Sequence, residues 1–86
     1  MTAHASEYQE LVDWLTIKVA GYVNVPPGVI DIDKPLADCG IDSASGLALC
    51  VDLLDEKGFD VETTIVWDYP TIEAIAAYLL AERAVP

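Results

Sequence analysis

Positive charge is what this chain most lacks: its 86 residues carry 4 lysines and arginines against 15 aspartates and glutamates, for a formal charge of −11. Such a coat repels nucleic acid and anionic membranes and attracts basic protein surfaces. Histidine is nearly absent as well, the one example being His4, in a terminus expected to be loose. Only Cys39 and Cys50 represent cysteine, with no Cys-x-x-Cys, so two idle reduced thiols are a better reading than a disulfide or a metal site. No apolar run is long enough to cross a bilayer and no charged-then-apolar leader opens the chain, which points to a soluble, cytoplasmic protein.

What is present is the material for a core. Hydrophobic residues make up 53% of the chain, and the length suits a single domain over residues 1–86 near the lower limit at which one core suffices. Residues 1–5 and 84–86 are expected to be loose. Ser6 with Gln9 three positions on has the form of a capping box, and Tyr8, Leu11, Val12, Leu15, Val19 and Tyr22 follow at helical spacing. Glu7, Glu10, Asp13 and Lys18 fall on the other face, so this first helix is amphipathic.

From Asn24 to Ile41 the prolines at 26, 27 and 35 exclude a continuous helix, while Val25, Val29, Ile30, Ile32 and Leu36 suggest a loop pinned to the core. A connection this long is uncommon in a compact domain and usually functional. The Asp31-x-Asp33 pair lacks the glycine and distal glutamate of a calcium loop, so its carboxylates read as solvated turn residues. A second helix is expected from Ser43 to Lys57, ended by Gly58. Ala44, Gly46, Leu47, Ala48, Leu49, Cys50, Val51, Leu53 and Leu54 leave it almost no polar face. In so small a chain that is more apolar surface than neighbours can cover, unless the small residues serve only close packing. A one- or two-turn third helix is expected around Ile65, Val66 and Trp67. Thr71 then caps a fourth helix with a core stripe of Ile72, Ile75, Ala76 and Leu79, and Arg83 suits its C-terminal dipole end. The fold class is all-α: a four-helix bundle with three main helices, a short third one and a long loop between the first and second.

Ser43 is the candidate functional residue. It stands where a loop becomes a helix, beside N–H groups with no intrahelical partner, so a negatively charged attachment on its hydroxyl is tolerated there. The neighbouring string Gly40-Ile41-Asp42-Ser43 resembles the attachment site of acyl carrier proteins, whose serine bears 4'-phosphopantetheine. Trp67-Asp68-Tyr69-Pro70-Thr71 is similar to a stretch common in polyketide-synthase carrier domains. The resemblance covers roughly residues 7 to 82. It implies that a phosphopantetheinyl transferase moves the arm from coenzyme A onto Ser43, with Asp42 matching the aspartate that helps the transferase hold its metal ion and phosphates. It further implies that Leu47, Asp52, Asp55 and Glu56 contact partner enzymes: an acyltransferase, an adenylate-forming ligase or a ketosynthase with a basic docking surface.

Three readings compete for Ser43. As a nucleophile it would need an activating base and an oxyanion hole, and the chain has no usable histidine, no Ser-x-x-Lys and no Gly-x-Ser-x-Gly elbow. As a bare N-cap it would belong to an acidic helical interaction module without cofactor. As a carrier serine it would hold acyl thioesters, and the resemblance favours a discrete, monomeric acyl carrier of a polyketide or related natural-product pathway, with a peptidyl carrier of a nonribosomal pathway as the alternative. Two positions depart from the family pattern: Ala44 stands where leucine is usual and Ala48 where glutamate is frequent. A dedicated partner set with a more apolar interface would fit both.

Overall fold

The computed structural model describes residues 3–84, with the side chains of residues 3–6 and 83–84 left aside. The expected loose ends at Met1, Thr2, Val85 and Pro86, and the expected roles of the His4, Ser6 and Arg83 side chains, therefore lie outside the described atoms. Four helices follow in order, α1 (Ala3–Val23), α2 (Ser43–Asp52), α3 (Ile65–Asp68) and α4 (Ile72–Ala84), and among the described residues there is no strand. The all-α, four-helix expectation holds. No described helix is long and apolar enough to cross a membrane.

α1 begins at Ala3 and not behind Ser6. Nothing in Ala3-His4-Ala5 breaks a helix, and alanine is the best helix former, so helical backbone continues through the residue expected to cap it. Gln9, the expected second half of that cap, instead donates to Asp13 Oδ1 at 2.9 Å, one turn along. At the other end Asn24 adopts φ 60°, a left-handed conformation that asparagine tolerates, and Val25 N–H donates to Ala20 O at 3.0 Å.

The apolar stripes read from the sequence meet in one core. Leu11, Val12, Leu15 and Val19 of α1 are buried, as are Ile72, Ile75, Ala76 and Leu79 of α4, the helix against which α1 mainly lies. Leu49 and Leu53 enter from α2 and the segment after it, Ile65 and Val66 from α3. Fully burying a leucine- or isoleucine-sized side chain contributes about 1.5–3 kcal/mol, which offsets the entropy lost in ordering so short a chain.

The connection between α1 and α2 is built from two 3₁₀ turns, Pro27–Val29 and Leu36–Cys39. Its anchors are fewer than the sequence suggests: Leu36 and Ile41 are buried, but Val29 is 66% exposed and Val25 is exposed too. The proline-started Pro27–Val29 turn contains no buried residue, so its valine stays in solvent. Backbone hydrogen bonds to the start of α4 supply the rest of the attachment. Leu36 N–H donates to Pro70 O at 2.7 Å, and Glu73 N–H donates to Ile32 O at 3.1 Å.

α2 does not run as a regular helix to Lys57. Its last stretch, Leu53–Lys57, opens into a wider π-type turn before Gly58 stops it at φ 76°. Gly58 N–H donates to Leu54 O at 3.2 Å and Phe59 N–H to Leu53 O at 3.0 Å. Earlier in α2, Gly46 is buried against α3, and a Cβ at that position would stand 2.9 Å from Val66 Cγ2. Because Val66 is itself in the core, it has little freedom to withdraw. Gly46→Ala gains helix propensity of at most about 1 kcal/mol but overpacks this contact, so net destabilisation of roughly 1–2 kcal/mol is expected in urea unfolding. Adding Val66→Ala should recover part of the loss, and a Gly46→Ala chain as stable as the parent would show that α2 and α3 do not depend on this close approach.

Candidate functional site

Ser43 is reached through an abrupt change of environment. Leu36 is buried at 1% exposure, and the turn it begins ends at Gly40, whose φ of 103° is strained for any residue with a Cβ. Ile41 returns to the core at 6% exposure, its N–H donating to Leu36 O at 3.1 Å. Asp42 and Ser43 are then exposed. Buried anchors on both sides of the Gly40 turn thus leave the next two residues facing solvent.

The cap of α2 is Asp42 and not Ser43. Asp42 has extended backbone, its Oδ1 accepts from Ser45 N–H at 2.9 Å, and its carbonyl accepts from Gly46 N–H at 2.9 Å. Either residue type makes a good cap, so the sequence left the position open by one. The hydrogen bond from Ser45 N–H holds the Asp42 carboxyl below its ordinary range, with a side-chain hydrogen bond from Ser45 adding to it, and the carboxylate stays ionised beside the serine.

Ser43 accordingly occupies the first helical position. Among the described residues its hydroxyl has no hydrogen-bond partner. An exposed, unpartnered primary alcohol at the positive end of a helix suits a phosphate ester on Oγ, because charge and space are both available there. No histidine or lysine side chain of the described set hydrogen-bonds it. Cys39 and Cys50 are both free; Cys50 is buried, its Sγ donates to Glu62 O at 3.5 Å, and burial pushes its thiol up, away from the reactive thiolate. Asp31 and Asp33, both exposed, interact with each other, Asp31 held low by its hydrogen bond with Asp33 and Asp33 raised by it. Among the described residues no three potential ligands gather as a metal site would require.

The other residues singled out by sequence divide into two groups. Leu47 and Asp55 are exposed. Leu47 shares the outward face of α2 with Val51 and, at the next turn, Leu54; the three are 51, 51 and 53% exposed. This is the surplus apolar surface that the composition of the helix implies. Asp52, partly buried, and Glu56, itself exposed, differ in having partners on α1, where Asp52 accepts from Tyr22 Oη and Glu56 pairs with Lys18. Helical spacing alone could have separated 47, 51 and 54 from 52 and 56, but not named the α1 groups that 52 and 56 meet.

The chain is thus a helical bundle that presents an exposed serine at a helix start with an ionised carboxylate beside it. The family model described as "Phosphopantetheine attachment site" matches residues 13–79, and the chain belongs to that family, whose cofactor is 4'-phosphopantetheine. Its relatives are carrier domains of polyketide and related natural-product synthesis. The chain is similar, at 40% identity over 94% of its length, to part of 5-methyl-1-naphthoate synthase of Streptomyces sahachiroi, and at 34% over its full length to part of a phenolphthiocerol/phthiocerol polyketide synthase of Mycobacterium tuberculosis. It spans only 5% of the length of each. Among solved structures, a free-standing peptidyl carrier protein from Acinetobacter baumannii superposes with a TM-score of 0.86 at 35% identity, covering 90% of this chain and 96% of that one.

The assignment of the cap to Asp42 has a consequence for stability. Asp42→Ala should lower the melting temperature, whereas Ser43→Ala should change it less, since the serine side chain holds no backbone group. Because the Asp42 carboxyl titrates lower in the folded chain, its contribution is complete above the ordinary aspartate range near pH 4 and is lost as pH falls through the depressed value. Asp42→Asn should flatten that acid limb. Equal melting losses for the alanine variants at 42 and 43 would return the cap to Ser43.

Proposed function

We propose that this chain carries acyl intermediates on a 4'-phosphopantetheine arm joined to Ser43, in a polyketide or related natural-product pathway. The observation that carries the reading is the exposed Ser43 hydroxyl, unpartnered at the first helical position next to an ionised Asp42. When attached, the arm supplies a terminal thiol for thioester carriage, and the protein's part is delivery and recognition. Ser43 supplies the attachment oxygen. Asp42 orders the helix start and presents a carboxylate to the metal and phosphates that a phosphopantetheinyl transferase brings.

Partner enzymes then approach the outward face of α2. Leu47, Val51 and Leu54 offer aliphatic surface on the serine's side of the helix, Asp55 offers a charge near its far end, and Ala44 and Ala48 leave the first turns without a protruding anchor. Such a surface suits an acyltransferase, ligase or ketosynthase with an apolar recess and a basic rim, and disfavours nucleic acid and anionic lipid. A peptidyl carrier of a nonribosomal pathway is the second reading, supported by the likeness to the free-standing peptidyl carrier.

Incubation with a phosphopantetheinyl transferase and coenzyme A, followed by intact-protein mass spectrometry, tests the assignment: the parent chain gains the arm and Ser43→Ala does not. Modification of the alanine variant, or none of the parent, ends the carrier reading at Ser43. On the partner face, Asp55→Lys should slow acyl transfer by the cognate enzyme and flatten its salt dependence at unchanged stability, since an exposed charge contributes little to folding. Ala48→Glu should lower kcat/KM for that enzyme while sparing a broad-range transferase; equal effects on both would remove the case for a dedicated apolar interface.

A further inference from the structure

The seam between α1 and the end of α2 concentrates the polar contacts of the molecule. Lys18 Nζ bonds Glu56 Oε2 and stands 3.7 Å from Asp52 Oδ2. Tyr22 Oη donates to the same Asp52 oxygen, and Trp14 Nε1 donates to Glu56 Oε1 at 3.4 Å. Two ammonium groups stand over the Trp14 ring, Lys18 at 5.4 Å and Lys57 at 5.7 Å from its centroid. Half of the chain's 4 basic side chains are therefore gathered at this one seam. Of the three carboxylates at the end of α2, Asp55 alone has no partner among the described residues.

Stability is a weak reason for such an arrangement. The Lys18 and Glu56 side chains are 25% and 44% exposed, and ion pairs this open to solvent contribute about 0–1 kcal/mol. The effect on an approaching cation is larger, because the charge that steers association is the local sum over a screening length of about 8–10 Å. Asp52, Asp55 and Glu56 would offer three negative charges. With Lys18 and Lys57 beside them they offer one, and both oxygens of Glu56 are already occupied.

We propose that Lys18 determines which partners α2 accepts: by holding Asp52 and Glu56 against α1 it withholds them from cationic side chains, so that a partner must recognise the aliphatic stripe and Asp55. This rests on the carrier reading for its biological meaning, not for its physics. The fitting partner is an enzyme with an apolar recess and a single basic side chain, and a surface that relies on a cluster of basic residues is discriminated against.

The test uses hexalysine as the cationic probe at low ionic strength, with backbone amide shifts followed residue by residue in the parent, Lys18→Met and Lys18→Arg chains. In the parent and the arginine variant the shifts should centre on Asp55 within this segment. In Lys18→Met they should extend to Asp52 and Glu56, with several-fold tighter binding and a steeper salt dependence. A Lys18→Met chain that also carries Asp52→Asn and Glu56→Gln should lose both the extended shifts and the tighter binding. Tighter binding that persists in that triple variant, or identical titrations of the parent and Lys18→Met, overturns the proposal. In parallel, kcat/KM of a phosphopantetheinyl transferase with a basic docking surface should rise several-fold for Lys18→Met. Absence of any mass gain in both chains would count against Ser43 as the attachment site and leave the amide titration to judge Lys18.

Discussion

The geometry of the site depends on one constraint: a buried residue and an exposed one must stand two positions apart, and the chain must be held while it makes the change. Ile41 is in the core and Ser43 in solvent. A loop with so many prolines cannot hold that step by helical hydrogen bonds, so it borrows them. The Pro70 carbonyl, at the entry to α4, accepts from Leu36 N–H, and Glu73 N–H reaches back to Ile32 O. With Leu36 fixed both through its backbone and through burial, Gly40 makes the left-handed turn, Ile41 re-enters the core and Asp42 has a defined place from which to cap α2. The two sequence stretches that point to a carrier, around Ser43 and around Tyr69-Pro70-Thr71, are thus joined in one hydrogen-bonded structure. The second sets the position from which the first presents its serine, and its Tyr69 is steadied in turn by stacking on Tyr78 at 4.3 Å between ring centroids.

α2 resolves the conflict between its composition and the size of the domain by dividing its faces. Gly46, Leu49 and Cys50 turn inward with Leu53, and the glycine allows α3 to approach as closely as the Val66 methyls permit. Leu47, Val51 and Leu54 are left outside because no fifth helix exists among the described residues to cover them. Exposed apolar surface at three successive turns of one helix gains nothing for the isolated fold, which is why the proposed partner contacts are placed on it.

Much of this was legible in the sequence because it follows from local rules. The apolar periodicity of Leu11 to Val19 and of Ile72 to Leu79 identified core faces, Gly58 marked a helix end, and Thr71 caps α4 by accepting from Ala74 N–H at 3.0 Å. Where two residues could perform one local task, reading by pattern fell one position short, as with Asp42 and Ser43, or followed a motif that helix propensity overrode, as with Ser6. The wider turn at Leu53–Lys57 has no signature in leucines, acids and a lysine, all of which also favour an ordinary α-helix. The contacts made across 30 or more positions, such as Tyr22 with Asp52 and Leu36 with Pro70, had no local signal.

The charge of the molecule illustrates the same distinction between composition and placement. A formal charge of −11 reads as a uniform acidic coat, and from composition alone every carboxylate of α2 is an equal candidate to meet a basic partner. The fold makes them unequal. Asp42 is committed to the backbone of the helix start, where its charge lies beside the serine. Asp52 and Glu56 face α1, where a phenol, an indole and a lysine satisfy them. Burial of part of this network raises the Tyr22 phenol, with its hydrogen bond to Asp52 acting in the same direction, so Tyr22 remains a donor across the physiological range. Asp55 is left, one turn beyond Val51 and beside Leu54, as the carboxylate of this segment that a partner can pair with unopposed. On the carrier reading proposed above, recognition at α2 depends less on the number of acids than on which of them the packing of α1 has already engaged.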